Sequence, residues 1–391
     1  MTGTETGIRT LRHDPGDRPF IVIWEVTRAC GLVCAHCRAD AIPDRHPAEL
    51  TTAEGRRLLD DLAALGTPRP LVVLTGGDPF ERDDLEELVA YGTSLGLHMS
   101  LAPSVTPRFT RDRLQPLRDA GARAVSLSLD GATATTHDRF RGIDGVFAAT
   151  IDGAALVREL GLRLQINTTV TAGSVVELPE VLRLVVGWGA ALWSVFVLVP
   201  TGRGDALAGL DAHEIEDVLR WLHDVARLVA IKTTEAPHFR RVVLESTRTG
   251  GATTPPSAPG PLYEELHAAS RDLFDGGVPA RRTRRPPLDV NAGKGFVFVD
   301  HLGAAYPSGF LPIPIGSIRD RPLSQLYRES PLLRQLRDPD QLRGRCGRCE
   351  FRGVCGGSRS RAYAVTGDPL AEDPSCAYVP AGGALVTGAV P

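Results

Sequence analysis

The chain has 391 residues, 42% of them hydrophobic, which exceeds what one small domain needs and suits a large domain with a smaller companion. Its 44 basic and 47 acidic residues leave a formal charge of -3, so nothing global argues for a nucleic-acid partner. The polar start MTGTETGIRTLRHDPGDRP lacks the apolar run of a secretion signal and the longest apolar stretches are strand-length, so the expectation is a cytoplasmic protein with no membrane span.

In chain order, residues 1–18 form an extension and PFIVIWEVT (19–27) the first strand. TTAEGRRLLDDLAALG (51–66) is an amphipathic helix, with Thr51 or Thr52 as its cap and Glu54 close behind. PLVVLTGG (70–77) is a strand, 81–96 a helix and HMSLAPS (98–104) a strand. The alternation continues with helix 110–121, strand 124–131, helix 144–161, strand 163–170, helix 176–189, strand 192–200 and helix 211–229. AIKTTEAP (230–237) adds a short strand or an exit segment. Six strand-then-helix units imply parallel strands with right-handed crossovers. Nearly unbroken apolar strands such as LVVLT and LWSVFVLV suit burial on both faces. Eight units would close a barrel. Six predict an α/β core at 19–237, a partial (β/α)6 TIM-like barrel with its chemistry at the C-terminal strand ends.

Beyond residue 237 this rhythm stops. Residues 238–294 form a linker with loops at 248–261 and 276–287 and a helix at 262–274. The basic run RRTRR (281–285) stands alone and is taken as solvated. GFVFVDHLGAAYPSG (295–309) is a hairpin turning near Leu302 and Gly303. LSQLYRESPLLRQLRD (323–338) is a helix broken at Pro331, and a Gly- and Arg-rich tail follows. Residues 295–391 are expected to form a small cysteine-rich α+β domain.

The seven cysteines fall into two groups. Cys30, Cys34 and Cys37 follow the first strand as C-x3-C-x2-C. In a reducing compartment such clustering points to metal or catalysis, and an odd count cannot pair completely within the chain. Three thiolates on one loop can hold three irons of a [4Fe-4S] cube and leave the fourth open to a substrate or cofactor. A closed zinc site would want a fourth ligand, for which His36 is crowded between Cys34 and Cys37. Cys346, Cys349, Cys355 and Cys376 stand at C-x2-C-x5-C and then twenty residues further on. Four thiolates can saturate a cluster; a structural zinc site is the alternative.

On these motifs the chain resembles radical S-adenosylmethionine (SAM) enzymes. The resemblance covers about residues 19–237 and implies that Cys30, Cys34 and Cys37 hold a [4Fe-4S] cluster whose open iron is chelated by the amino and carboxylate groups of SAM. It places His36 at a variable, often aromatic, position near the adenine. LTGGDP (74–79) is similar to the family's GGEP motif, whose backbone meets the SAM amino group: Gly76, Gly77 and Pro79 match, and Asp78 replaces the usual Glu. Ser128, Asp130, Asn167 and Val199 resemble positions that meet the methionine carboxylate, ribose or adenine; Ser128 and Asp130 also suit a simple capping turn. The tail resembles the auxiliary-cluster extensions called SPASM or twitch domains. A full SPASM domain needs more cysteines, and Ser308 stands at or near its hairpin cysteine. One auxiliary cluster is therefore expected, fully ligated by Cys346, Cys349, Cys355 and Cys376 and suited to electron transfer.

The resemblance implies reductive cleavage of SAM to a 5'-deoxyadenosyl radical that takes hydrogen from a shielded substrate. WEVTRACGLVCAHCRADA, LVPTGRGDAL, KTTEAPHFRRVVLE and the tail look like the tetrapyrrole branch, which decarboxylates propionates or matures heme d1. Its relatives tend to read CGGC where Ser358 makes this chain CGGS. Propionates want cations, and Arg203, His238, Arg240, Arg241, Arg359 and Arg361 are candidates. A flavodoxin- or ferredoxin-type electron donor is implied as partner. Two other readings stand beside this one. A maturase of ribosomal peptides would use a peptide-recognition domain, for which residues 1–18 are too short. A non-enzymatic iron-sulfur scaffold or sensor would have no use for GGDP.

Overall fold

The computed structural model of the chain describes residues 3–4, 7–247, 258–274 and 285–381. Most of the two expected loops and of the basic run 281–285 lies outside the described residues. A ribbon of β1 (Gly3–Thr4) and β2 (Arg9–Thr10) precedes β3 (Ile21–Glu25). Then come α1 (Thr52–Ala64), β4 (Leu71–Thr75), α2 (Leu85–Ser94), β5 (His98–Leu101), α3 (Arg111–Asp119) and β6 (Ala124–Ser128). α4 (Ala134–Arg141), α5 (Val146–Glu159), β7 (Arg163–Val170), α6 (Leu178–Gly187), β8 (Leu192–Val197), α7 (Ala212–Val225) and β9 (Ile231–Thr234) follow. Each strand from β3 to β9 pairs in parallel with the next. Thr51 opens α1 with a capping box: its Oγ1 accepts the Glu54 N–H at 3.2 Å, and the Glu54 carboxylate accepts the Thr51 N–H at 2.8 Å.

At one end the sheet takes the short-strand alternative expected for 230–237, and at the other it departs from the six-unit expectation. β9 is a seventh parallel strand, registered on β8 from Trp193↔Ile231 to Phe196↔Thr234. After α8 (Phe239–Thr247), α9 (Pro261–Ala269) and β10 (Asn291–Ala292) comes β11 (Gly295–Val299), which pairs in parallel with β3 from Phe296↔Ile21 to Val299↔Trp24. The hairpin expected in a separate cysteine-rich domain is thus part of the barrel sheet. β12 (Ala304–Tyr306) and β13 (Gly316–Ser317) continue it outward in antiparallel register. The reason is nonlocal: GFVFV carries Val297 and Val299, both fully buried, beside Val22 and Trp24 of β3. The sheet ends at β9 on one side and β13 on the other, so it is an unclosed, partial barrel.

Two helices depart from the sequence expectation. α4 stands where only a turn before helix 144–161 was expected; Thr133 caps it by accepting the Thr136 N–H, and Gly142 ends it at φ +75°. α8 occupies the start of the supposed linker. The expected break at Pro331 divides α10 (Leu323–Glu329) from α11 (Pro331–Arg337), whose first turn Ser330 caps. α12 (Gly344–Arg348) and α13 (Arg359–Thr366) complete the tail.

The two faces of the sheet are unlike. Trp24 lies so close under α1 that a Cβ on Gly55 would come within 2.5 Å of its ring, and a Cβ on Gly92 of α2 would come equally near the Met99 sulfur. Trp193 meets Trp221 of α7 edge-on at 6.0 Å. Residues that alternate with these point to the concave side. There β6 to β9 carry Ser126, Ser128, Gln165, Asn167, Ser194 and Lys232. The concave face of this half mixes polar with apolar side chains: LWSVFV turns Trp193 and Val195 to the helices and Leu192, Ser194 and Phe196 to the hollow. Among the described residues no helix is long and apolar enough to cross a membrane.

Candidate functional site

The first cysteine loop leaves the end of β3 and is clamped by main chain on two sides. Cys30 N–H donates to the Ile42 carbonyl at 2.9 Å, closing the loop on itself. GGDP then packs against the residues just before Cys30, with Gly77 N–H on the Thr27 carbonyl at 2.9 Å and Asp78 N–H on the Ala29 carbonyl at 2.7 Å. A Cβ on Gly76 would stand 2.4 Å from the Thr27 oxygen, and one on Gly77 would stand 2.2 Å from the Ala29 oxygen. Only glycine permits that approach. From the other side, Arg203 N–H donates to the Cys37 carbonyl at 3.1 Å and its Nε to the Cys34 carbonyl at 2.9 Å.

Each of the three sulfurs is met by a donor. Cys30 Sγ accepts the Leu32 N–H at 3.3 Å, Cys37 Sγ the Ala41 N–H at 3.5 Å, and Cys34 Sγ the Arg141 guanidinium at 3.6 Å. Such donors suit thiolates that bind a cluster, whose potential they help to set. Cys30 also donates to Ser104 Oγ at 3.5 Å, and Ser104 to the Gly77 carbonyl at 2.9 Å, which ties the cysteine loop to GGDP.

Arg141, on the unexpected α4, is buried and ion-paired with Asp130. Burial works to raise the Asp130 carboxyl, but Arg141 beside it and the Thr169 N–H, 2.7 Å from Oδ1, hold it below the usual range. Asp130 is therefore engaged by protein and reaches the site through Arg141. Ser128 and Asn167 stand opposite each other in register on the concave face, and Asn167 Oδ1 accepts the Gln165 amide at 2.7 Å. The His36 ring stacks on Phe140 with centroids 4.5 Å apart; burial pushes it down to about 4, and its Nδ1 has no hydrogen-bond partner. Asp78 turns inward, accepting the Phe80 N–H at 3.1 Å and the Thr106 hydroxyl at 2.8 Å, and burial pushes it up to about 6. Pro79 opens a short 3-10 turn behind it, and Val199 is buried.

The four tail cysteines line one cavity together with Arg241, Asp373 and Tyr378. All four are free thiols. Cys346 Sγ accepts the Asp373 N–H at 3.4 Å and Arg359 Nη2 at 3.7 Å, and Cys355 Sγ accepts the Gly357 N–H at 3.5 Å. Burial pushes Cys349 up to about 12 and Cys376 to about 11, so a thiolate here requires a cation to replace its proton. Among the described residues no three His, Cys, Asp or Glu side chains are gathered closely enough to hold a single metal ion.

The five arginines considered for substrate carboxylates are held by protein, whereas His238 is buried with neither ring nitrogen hydrogen-bonded, and burial pushes it down to about 4. Arg203 lies on the first cysteine loop. Arg240 donates to the Val354 carbonyl at 2.6 Å and to the Val290 carbonyl. Arg241 pairs with Glu216 and Glu245 and lies over the Tyr378 ring. Arg359 donates to the carbonyls of Pro369 and Ala371 at 2.9 and 2.7 Å. Arg361 joins the Val197 carbonyl to Asp373, and His238 is buried 3.8 Å from the same carboxylate. Spacing could reveal only Glu245, four residues from Arg241; the other partners lie 10 or more residues away. One further polar knot joins barrel to tail. Glu235, at φ +55°, accepts the hydroxyls of Ser308, Ser358 and Ser360 at 3.1, 2.5 and 3.0 Å.

Comparison with known proteins is consistent with this geometry. Residues 24–185 match the Radical SAM superfamily. The chain is 36% identical, over 96% of its length and 97% of the relative's, to the AdoMet-dependent heme synthase of Nitratidesulfovibrio vulgaris. It is 32% identical to the pre-heme d1 synthase of Dinoroseobacter shibae, over 91% of this chain and 85% of that one. In fold it is similar to Streptococcus suis SuiB bound to S-adenosylmethionine, with a TM-score of 0.63 at 15% identity, covering 95% of this chain and 79% of that one.

Proposed function

The chain belongs to the radical SAM superfamily, and from that premise we propose that its substrate is a carboxylated tetrapyrrole whose propionates it converts oxidatively to vinyl groups. As a radical SAM enzyme it uses an iron-sulfur cluster to cleave SAM and generate a radical. The observation that carries the substrate is the match of nearly the whole chain to a relative named for heme synthesis. In this reaction a hydrogen atom is taken from the carbon next to the carboxylate-bearing carbon. The carboxylate departs as CO2, one electron leaves, and a vinyl double bond forms.

Residue roles follow. Cys30, Cys34 and Cys37 hold the SAM cluster. When bound, that cluster supplies the electron that splits SAM into methionine and a 5'-deoxyadenosyl radical. Leu32, Ala41 and Arg141 donate to its sulfurs, and Gly76 and Gly77 keep GGDP against the loop. Ser128 and Asn167 offer polar groups to SAM from the concave face, and neutral His36 offers a ring edge. Cys346, Cys349, Cys355 and Cys376 would hold a second, saturated cluster, which would supply an acceptor for the departing electron. Arg240, Arg241, Arg359, Arg361 and His238 brace this second group, and Arg203 braces the first. Ser308 and Ser358 stand where related tails carry cysteine; their shared bond to Glu235 supports one tail cluster instead of two. A flavodoxin- or ferredoxin-type protein supplies the first electron.

Anaerobically reconstituted protein given iron-coproporphyrin III, SAM and a reductant is expected to release CO2 and 5'-deoxyadenosine as vinyl product forms. Iron analysis is expected to find about eight irons per chain. SAM cleavage stimulated by a peptide, with the porphyrin untouched, would sink the substrate assignment.

A further inference from the structure

Of the 44 basic residues only Lys232 and Lys294 are lysines. Lys294 is paired, its Nζ donating to Asp289 at 2.9 Å and to the Gly353 carbonyl at 3.1 Å. Lys232 is different. It is half-buried on β9, and among the described residues no hydrogen bond or ion pair reaches its ammonium. A half-buried ammonium that no protein acceptor meets keeps its three donors available to a ligand that enters beside it.

Register fixes where this ammonium stands. Ser128, Asn167, Ser194 and Lys232 form one row across β6, β7, β8 and β9. The row lies on the concave face, since Trp193, next to Ser194, packs outward on Trp221. Thr234, two residues beyond Lys232 on the same face, touches the Ser194 hydroxyl at 3.3 Å. The surroundings favour an anion. Burial pushes the ammonium down to about 8, and the charge acting on it, Arg285, has the same sign. The acid at the end of the strand, Glu235, is occupied by three serine hydroxyls.

We propose that Lys232 binds a carboxylate of the substrate inside the concave face. One strand, β8, lies between Lys232 and Asn167, which puts about 10 Å of sheet between them. With Ser128 and Asn167 assigned to SAM at one end of the row, the anion at the other end is the substrate's. A compact ammonium on a four-carbon stem can follow a mobile side-chain carboxylate, which a guanidinium fork fixed in one plane does less well. The identity of the substrate rests on the tetrapyrrole reading above; the chemistry of the anchor rests on the row.

The test titrates iron-coproporphyrin III into reconstituted holoenzyme, followed by porphyrin absorbance, for wild type, Lys232→Met and Lys232→Arg, with iron content as the check on folding. Lys232→Met is expected to weaken binding at least tenfold and to raise KM more than it lowers kcat, and Lys232→Arg to recover most of the affinity. If methionine lowers the iron content, Lys232→Gln carries the same comparison. Unchanged porphyrin affinity in the iron-replete variant overturns the anchor alone. Weakened binding of SAM with intact porphyrin binding overturns it in favour of a SAM contact. A wild-type chain that binds no porphyrin overturns the tetrapyrrole reading, and the anchor with it.

Discussion

The two cysteine groups present their sulfurs to very different surroundings. The first sits on a loop between main-chain clamps, and the residues that hold it, Thr27, Ala29, Gly76 and Gly77, do so through backbone atoms. Its one buried charged partner, Arg141, is balanced by Asp130. The second lies in the tail among cations and acids: Arg241 between Glu216 and Glu245, Arg361 on Asp373, and Arg359 on two carbonyls and a sulfur. The first group is held mainly through main chain, with Arg141 and Arg203 added. The second combines main-chain donors from Asp373 and Gly357 with a shell of ion-paired side chains.

The largest effects should separate the groups by reaction step. Alanine at Cys30, Cys34 and Cys37 is expected to abolish SAM cleavage and remove about four irons per chain. Alanine at Cys346, Cys349, Cys355 and Cys376 is expected to remove a similar number and to stop vinyl product while 5'-deoxyadenosine still forms. Zinc in the tail, with product formation intact after that substitution, would end its role as electron acceptor.

Smaller changes act on the clamps. Gly77→Ala puts a methyl 2.2 Å from the Ala29 oxygen and should lower iron retention by the first group alone, at a cost of about 3 kcal/mol in stability. Arg141→Met leaves Asp130 buried and unpaired; thermal melting is expected to show a loss of about 3–5 kcal/mol, largely restored by adding Asp130→Asn.

The smallest effect is a pH dependence. Burial raises Asp78 from 3.8 to about 6, so the folded state holds that proton more tightly than the unfolded state. The stability this contributes is present below the unfolded value and lost as pH rises through about 6. Asp78→Asn should therefore gain melting temperature relative to wild type between pH 5 and pH 7.5. Parallel pH profiles for the two proteins would show that the Asp78 proton is not coupled to folding.

Much of the core could be read from spacing. C-x3-C-x2-C after a strand, GGDP after the next, and the strand-helix rhythm each depend on neighbours in sequence, where alternation and capping chemistry act. The break at Pro331 and the hairpin turn at Gly303 are of the same local kind. α4 was hidden by a threonine-rich start of poor helix propensity, although Gly142 carried the signal of a helix end, and with α4 went Arg141.

Everything that depends on partners far away in sequence was decided by tertiary structure. β11 joins β3 across some 270 residues, which turned an expected separate hairpin into an edge of the barrel. The arginines of the tail and of α8 face carbonyls and carboxylates brought to them by folding, so their count and spacing gave no clue that protein would hold them. Period-two alternation told which residues share a face of β9, but only the pairing of β9 with β8 set Lys232 beside Ser194 in the polar row of the concave face. Local patterns set the elements because capping and periodicity act over a few residues; the destination of a charge is set by where the chain returns.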